Sequence, residues 1–417
     1  MSIPLDRLYN YLHDIVNHDT VIYRWNPHGS KKLEDLSLLN PQSQHEVLGN
    51  PVMVFHDQEP LNFNYYTNQD IKNLLDIFQS RGHGYMNIPF ELVNKVPSLR
   101  LATTAENLYD KMILVHSELQ SDQVEIYKEN GFIPVYYWSH YILARDWFRY
   151  AKHTQALDQH TPTQPFLIYN RAWSGSREYR LKFAELLVKS GLSTVCQMGF
   201  NSYDNGQTYH LHKFKNPALQ ISTTNLEDYF FKNNTPAAAS ADYNTQDYQK
   251  TNIEIILETL FDDTRLHLTE KSLRPIACGH PFILAATPGS LAYLRSYGFE
   301  TFDGLIDETY DTIKDPVQRL QAIIQEMERL LTVDQTVWDQ LRIIAARNKQ
   351  RFFSADTQEQ IINEYTKNVE SALKLIQEHH TGQYWDLLTT MSQKYSPNIY
   401  NKFFANTVEW AKQKLKS

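Results

Sequence analysis

Between residues 111 and 153 the chain reads KMILVHSE, SDQVEIYKENG, FIPVYYW and SHYILARDWFRYAKH in near-unbroken succession. The first and third stretches (111–118 and 132–138) are apolar runs of strand length. The second and fourth (121–131 and 139–153) read as helices, and the second closes on Gly131. Strand alternating with helix is the pattern of a parallel α/β sheet, and no other feature narrows the fold as far. The pattern extends upstream. VIYRW (21–25) and PVMVFHD (51–57) read as short strands and NQDIKNLLDIFQSRG (68–82) as a helix closed by Gly82, while Leu5, Leu8, Leu12, Ile15 and Val16 keep helical spacing over 4–16.

At 154–165, TQALDQHTPTQP is polar, holds two prolines and has no apolar period, as an interdomain linker would. The alternation then restarts. FLIYN (166–170) reads as a strand, and 176–192 as a helix with Leu181, Ala184, Leu187 and Val188 inward. TNIEIILET (251–259) and PFILAA (281–286) are strand-like, with the short helix SLRPIACG between them. TPGSLAYLRSYG (287–298) carries the signature of a helix with Pro288 first and Gly298 past its end. A further helix begins at Asp315-Pro316 and stripes Val317, Leu320, Ile324, Met327 and Leu331 on one side. TPAAASAD (235–242) reads as a loop, and from 334 the chain is almost wholly helical. The expected organisation is an α/β domain over 1–153, a linker over 154–165, a second α/β domain over 166–350 and a helical tail over 351–417 that packs back on the first domain. Two Rossmann-like domains of this kind bind ligands in the crevice at the carboxyl ends of their strands.

The length of 417 residues exceeds one ordinary core, and 42% hydrophobic residues suffice for two. A formal charge of −8 argues against a non-specific nucleic-acid coat while leaving room for a local basic groove. Two cysteines, Cys196 and Cys278, make neither a disulfide framework nor a zinc cluster. The N-terminus lacks a signal-peptide pattern, and no run reaches the roughly 18 apolar residues that span a bilayer. A cytoplasmic protein is expected.

Three stretches could carry chemistry. In YNRAWSGSREYR (169–180) a strand hands over to a helix, and Arg171, Arg177 and Arg180 cluster at the handover. A helix N-terminus with guanidiniums is an anion site, since Arg meets phosphate oxygens in pairs; the bland alternative is surface charge. In LHLTEKSLRPIACGHPFIL (266–284), Thr269 can cap a helix and Glu270 suits its first turn. Lys271 opposes the dipole unless an anion lies close, and Arg274 is one turn on. In VFHDQEPLNFNYY (54–66), His56, Asp57 and Glu59 follow a strand end in an aromatic loop, where a carboxylate could serve as general base; an acidic loop is the plainer reading. His116 and Glu118 occupy the equivalent place one unit later, as further cleft candidates. Nucleotide-loop, zinc-protease and serine-hydrolase motifs are absent. His210 and His212, expected on one strand face, lack a third ligand for a metal. His379-His380 and the basic 345–353 stretch read as solvated helix.

The strand-end NR with its following Arg-x-x-Arg, and TEK…P…GHPFI far downstream, resemble the donor-binding domain of GT-B glycosyltransferases, most nearly the α1,3-fucosyltransferase and exostosin-like groups. The matched residues are Glu270, Lys271, Gly279 and Pro281. The resemblance implies that Glu270 holds the ribose of a nucleotide-sugar, that Lys271 meets its diphosphate, and that Arg171 or Arg177 joins it there. HDQEPLNFN is similar in kind to the acceptor-side stretch of the fucosyltransferases, which implies Asp57 or Glu59 as the base. The chain departs from that pattern: no Gly precedes the acid, the acid-to-Pro spacing differs, and Pro275 interrupts the TEK helix. The style of the sequence is also similar to transferases carried by large tailed bacteriophages.

On this reading the chain moves a sugar from a nucleotide-diphosphate donor to an acceptor hydroxyl, with inversion, without a metal and without any cofactor beyond the donor. The acceptor is either a glycan or a hydroxymethylated DNA base. Two other classes compete: a non-catalytic nucleotide-binding protein with the same fold, and a structural virion protein with neither pocket.

Overall fold

The computed structural model describes residues 21–25, 33–35, 52–56, 112–129, 132–232 and 242–394, with side chains for 113–129, 132–232 and 242–375. The helices expected over 4–16 and 68–82, the carboxylates Asp57 and Glu59, and residues 235–241 lie outside the described residues.

The first sheet contains β1 (Val21–Trp25), β2 (Leu33–Asp35), β3 (Val52–His56), β4 (Met112–His116) and β5 (Phe132–Tyr136), in the order β2-β1-β3-β4-β5. All pairs are parallel except β2 against β1. The register sets Trp25 beside His56, Phe55 beside Val115 and His116 beside Tyr136, so β1, β3, β4 and β5 end at one edge. The helix α1 (Gln123–Glu129) makes the crossover from β4 to β5. The helix α2 (Ser139–Trp147) follows β5, and the chain then tightens into a 3-10 turn at Arg149–Lys152. The single helix expected over 139–153 is thus two pieces.

The second sheet is parallel throughout, in the order β10-β7-β6-β11-β12. Its strands are β6 (Gln164–Tyr169), β7 (Cys196–Phe200), β10 (Phe231–Lys232), β11 (Thr251–Leu257) and β12 (Phe282–Ala285); a small hairpin of β8 (Tyr203–Asp204) and β9 (Gln207–Thr208) stands apart. The crossover β6 to β7 runs through α3 (Tyr179–Lys189), and α4 (Thr245–Lys250) leads into β11. The crossover β11 to β12 runs through α5 (Glu270–Cys278). These two crossovers leave neighbouring strands in opposite directions. Right-handed connections then place α3 and α5 on opposite faces, and strand order reverses between β6 and β11.

Local chemistry sets the helix ends. Thr269 caps α5 by accepting from the Lys271 N–H at 3.3 Å. At the other end Gly279, with φ 72°, takes the left-handed conformation, and the Gly279 and His280 N–H groups return to the Ile276 and Pro275 carbonyls at 3.1 and 2.9 Å. The next helix, α6 (Ser290–Ser296), begins later than Pro288. The reason is remote: the Asp311 carboxylate accepts from the Leu291 N–H at 3.1 Å, and the Asp311 carbonyl accepts from the Gly289 N–H at 2.9 Å. A cap from another segment displaces the local one. In α7 (Pro316–Leu330) the expected Asp-Pro start holds, with Asp315 accepting from the Gln318 N–H at 2.8 Å.

Two further helices follow, α8 (Gln335–Phe352) and α9 (Ala355–Lys394), and the expected boundary at 350/351 falls inside α8. Arg145 of α2 donates to the carbonyls of Phe352, Phe353 and Ser354 at 2.9, 3.0 and 2.7 Å, satisfying groups that a helix end leaves open. Further on, α9 lies along β5: Asn368 donates to the Tyr136 carbonyl at 3.1 Å, and the Tyr365 and Tyr137 rings are 4.5 Å apart. The Tyr136 hydroxyl also bonds to those of Tyr293 and Tyr297, and Tyr297 donates to Glu364 at 2.5 Å. These contacts tie the first sheet to α6 and α9. No helix among the described residues is long and apolar enough to cross a membrane.

Candidate functional site

The reversal of strand order marks where to look. In an open parallel sheet the loops on either side of it part, leaving a crevice at the carboxyl ends of the strands. Here those loops follow β6 and β11, and two of the three candidate stretches, the arginine loop and the TEK turn, converge on them. Past β6, Gly175–Arg177 form a short 3-10 turn whose Ser176 hydroxyl donates to the Thr259 carbonyl at 2.9 Å. Past β11, Lys271 donates to the Thr259 hydroxyl at 3.2 Å. Thr259 therefore joins the arginine-bearing loop to the TEK turn.

Next to it, Glu258 is the buried centre of the arrangement, with none of its surface exposed. Its Oε1 accepts from the Thr269 N–H at 2.8 Å and the Ser272 hydroxyl at 2.6 Å. Its Oε2 accepts from the Thr259 N–H at 2.8 Å and the Thr269 hydroxyl at 2.9 Å. Burial opposes the charge of Glu258, but Lys271 and these donors hold its carboxyl below the usual range despite the neighbouring Glu270. Sequence reading passed over Glu258 because it looks like the polar end of an apolar strand. The available signal was a pair of carboxylates, Glu254 and Glu258, four residues apart in an otherwise apolar run.

Glu270 is also buried. Its Oε1 accepts from Lys271 Nζ at 2.8 Å, and its Oε2 lies 3.7 Å from His140 Nδ1 on α2. Burial opposes its ionisation too, yet Lys271 and then His140 keep it well below the usual carboxylate range. Lys271 completes its three donations on Thr269 Oγ1 at 3.2 Å. The anion that a first-turn lysine calls for is thus supplied by the chain itself. Unit charges 4 Å apart interact by about 4 kcal/mol at an effective dielectric near 20. One ammonium among two carboxylates therefore has little attraction left for a third anion.

Arg171 is different. It lies beyond β6, and its Nη1 is buried without a hydrogen-bond partner among the described residues. Its guanidinium carbon is 5.3 Å from the Tyr169 ring centroid, while that of Arg274 stands 4.3 Å from the same ring. Burial and then the like charge of Arg274 lower the Arg171 pKa. Arg274 itself is satisfied, donating to Glu254 at 2.6 Å and to the Tyr248 hydroxyl at 3.0 Å. Arg180 is likewise engaged inside the fold, on the carbonyls of Ala172 at 2.7 Å, Leu257 at 2.5 Å and Glu258 at 3.0 Å. Both are buried framework residues and not cleft walls. Arg177, in the 3-10 turn past β6, is half-buried and within electrostatic range of Arg180.

The first sheet reaches the same place. Leu119, just past β4, pairs with Leu266 through reciprocal N–H···O bonds of 2.9 and 2.8 Å. Ser117 Oγ is 3.3 Å from His267 Nδ1, and the His267 and His140 rings meet edge-on at 5.0 Å. His116 and Glu118 pair with each other, Nδ1 to Oε2, at 3.4 Å. His56 ends β3 at the edge where β4 ends with His116, but its side chain is outside the described residues. Thr287, past β12, keeps a buried hydroxyl with no partner among the described residues.

Other candidates fall elsewhere. His210 sits in a 3-10 turn at Tyr209–Leu211 and pairs with Glu227 at 3.4 Å. His212, just past that turn, lies 3.1 Å from Glu178. They share no strand face. A surface hollow of ≈ 590 Å³ lies beside Arg295, Gly304, Glu308 and Arg329, away from the crevice, and its arginines already pair with Glu308 and Glu326. Among the described residues no group of three or more His, Cys, Asp and Glu side chains could hold a metal ion.

The protein is of mixed α/β class, with a parallel five-stranded sheet whose strand order reverses between β6 and β11. The chain matches no family model, and no curated protein matches it.

Proposed function

We propose that this chain is a nucleotide-sugar-dependent glycosyltransferase of the GT-B type, with the donor held by the second α/β unit. One observation carries the reading. The arginine loop and the TEK turn, about 90 residues apart in sequence, meet at Glu258–Thr259 where the strand order reverses. Glu270 offers a charged acceptor to donor hydroxyls, and Arg171 and Arg177 offer guanidiniums to the diphosphate. As the donor bond breaks, charge grows on the departing diphosphate, and fixed cations at that end stabilise it.

The acceptor enters from the first α/β unit. There β3 ends at the same edge as β4, and Asp57 or Glu59 removes the acceptor proton. The acceptor is a glycan or a hydroxymethylated base in DNA.

A thermal-shift panel of nucleoside diphosphates and nucleotide-sugars tests the donor claim. At least one should raise Tm, because a ligand that binds only the folded state stabilises it by mass action. A panel without any shift sinks the reading. Hydrolysis or transfer of the bound donor separates an enzyme from a binding protein.

A further inference from the structure

Within that proposed donor site, we infer that Lys271 is a positioning residue: it fixes the Glu270 carboxylate, and the ligand meets Glu270 while its anionic end falls to Arg171. This rests on the nucleotide-binding reading. The geometry gives three reasons. All three ammonium protons of Lys271 are donated inside the protein, to Thr259, Thr269 and Glu270. Glu258 orients this set from below, since it accepts the Thr269 hydroxyl proton and leaves that oxygen's lone pairs to the Lys271 N–H and Nζ. A phosphate approaching Lys271 would have to displace Glu270 from a 2.8 Å ion pair and remain beside two buried carboxylates.

Arg171 has the opposite character. Its Nη1 is buried and lacks a partner among the described residues, and Arg274 stands beside it with its own carboxylate already in place. An incoming oxyanion there gains hydrogen bonds without breaking an ion pair. Glu270, clamped between Lys271 and His140, cannot turn away, so its carboxylate is preorganised for a pair of hydroxyl donors.

A double-mutant cycle reads this directly, using whichever nucleoside diphosphate shifts the wild type most. Affinity is measured for the wild type, Lys271→Met, Glu270→Gln and the double variant, each at two salt concentrations. If Lys271 acts through Glu270, Lys271→Met weakens binding about tenfold or more in the wild type. It adds less than about twofold in the Glu270→Gln background. It also leaves the salt dependence unchanged, whereas Arg171→Met flattens that dependence. An equal loss from Lys271→Met in both backgrounds overturns the proposal, as does a flattened salt dependence in Lys271→Met. Should Lys271→Met fail to fold, Lys271→Arg is used: a positioning role predicts a loss from its altered geometry, and full retention counts against the idea. If no nucleotide shifts the wild type, the function itself is wrong and this proposal falls with it.

Discussion

Glu258 and Thr269 are bound to each other through two separate donors. The Thr269 N–H reaches Glu258 Oε1 at 2.8 Å, and the Thr269 hydroxyl reaches Oε2 at 2.9 Å. A carboxylate at the end of β11 thereby fixes the cap of α5, eleven residues further on. Replacing it strands buried donors of Thr259, Thr269 and Ser272, each worth about 1–3 kcal/mol when left unsatisfied. Glu258→Ala should therefore cost at least about 3 kcal/mol in chemical denaturation. Glu258→Gln should cost less, but more than about 1 kcal/mol, because its amide NH2 confronts other donors. A Glu258→Ala protein as stable as wild type would show that the cap is organised some other way.

Arg171→Met should leave stability within about 1 kcal/mol of wild type, or raise it, because the buried Nη1 gives up no hydrogen bond among the described residues. The same substitution should reduce the thermal shift from nucleoside diphosphates severalfold while leaving binding measurable. A stabilised protein that still binds them normally would exclude Arg171 from the site.

Acid should destabilise the protein in two stages. Burial, His160 and Arg342 depress His280 from 6.5 to about 3. As pH falls from 6.5, the unfolded chain gains a proton there that the folded state refuses, so stability drops. Below the ordinary carboxylate value of 4.5, Glu258 and Glu270 add to the slope, since both are held lower when folded. Stability curves against pH should steepen below 4.5, and His280→Gln should remove the earlier part. Because Asp311 titrates with the opposite sign in the same range, the readout is the difference between wild type and His280→Gln: a stability difference that does not change between pH 7 and 5 would contradict the burial of a neutral His280.

Asp311 works in the opposite direction. Burial pushes its carboxyl from 3.8 up to about 7, against the Leu291 N–H bond that favours the ion. Between those values the folded state keeps a proton that the unfolded chain has released, so this group lowers stability as pH rises. Asp311→Asn retains an acceptor for Leu291 and should be the more stable form at pH 8, with the gain fading towards pH 4. Comparing Tm for the two proteins across that range decides it; a gain that does not change with pH would assign the effect to something other than ionisation.

Gly298 ends α6 with φ 77°, and its N–H returns to the Arg295 carbonyl at 2.8 Å. A Cβ there would meet the guanidinium of Arg351, whose Nε donates to the Tyr297 carbonyl at 2.8 Å. Gly298→Ala should cost about 1–2 kcal/mol for the left-handed conformation, plus the displaced Arg351 contact. Gly206→Ala is the control, with φ 82° and open space around the new methyl. Equal losses at the two positions would mean that Arg351 moves aside freely.

Much of the local structure was legible in the sequence because its causes are local. The apolar runs 112–116, 132–136 and 251–257 are strands, and Gly279 and Gly298 stop helices because only glycine takes their backbone angles without strain. Asp315-Pro316 starts a helix as its chemistry requires. Where a distant group supplies the decisive bond, local reading misses. Asp311 moved the start of α6, and the carbonyls at the end of α8 are satisfied by an arginine from α2.

The candidate site divides the same way. Sequence alone determined that Glu270 and Lys271 sit in the first turn of a helix capped by Thr269, since spacing and capping preference are properties of a few adjacent residues. It also placed Arg171 and Arg177 at a strand end. Only the tertiary structure decided which of these charges are already matched. It brings Glu258 under Thr269, gives Arg274 to Glu254 and Arg180 to main-chain carbonyls, sets Lys271 on Glu270, and leaves Arg171 Nη1 without a partner among the described residues. Charge matching depends on distances of a few ångströms between segments far apart in the chain, and those distances are set by the order in which strands join the sheet.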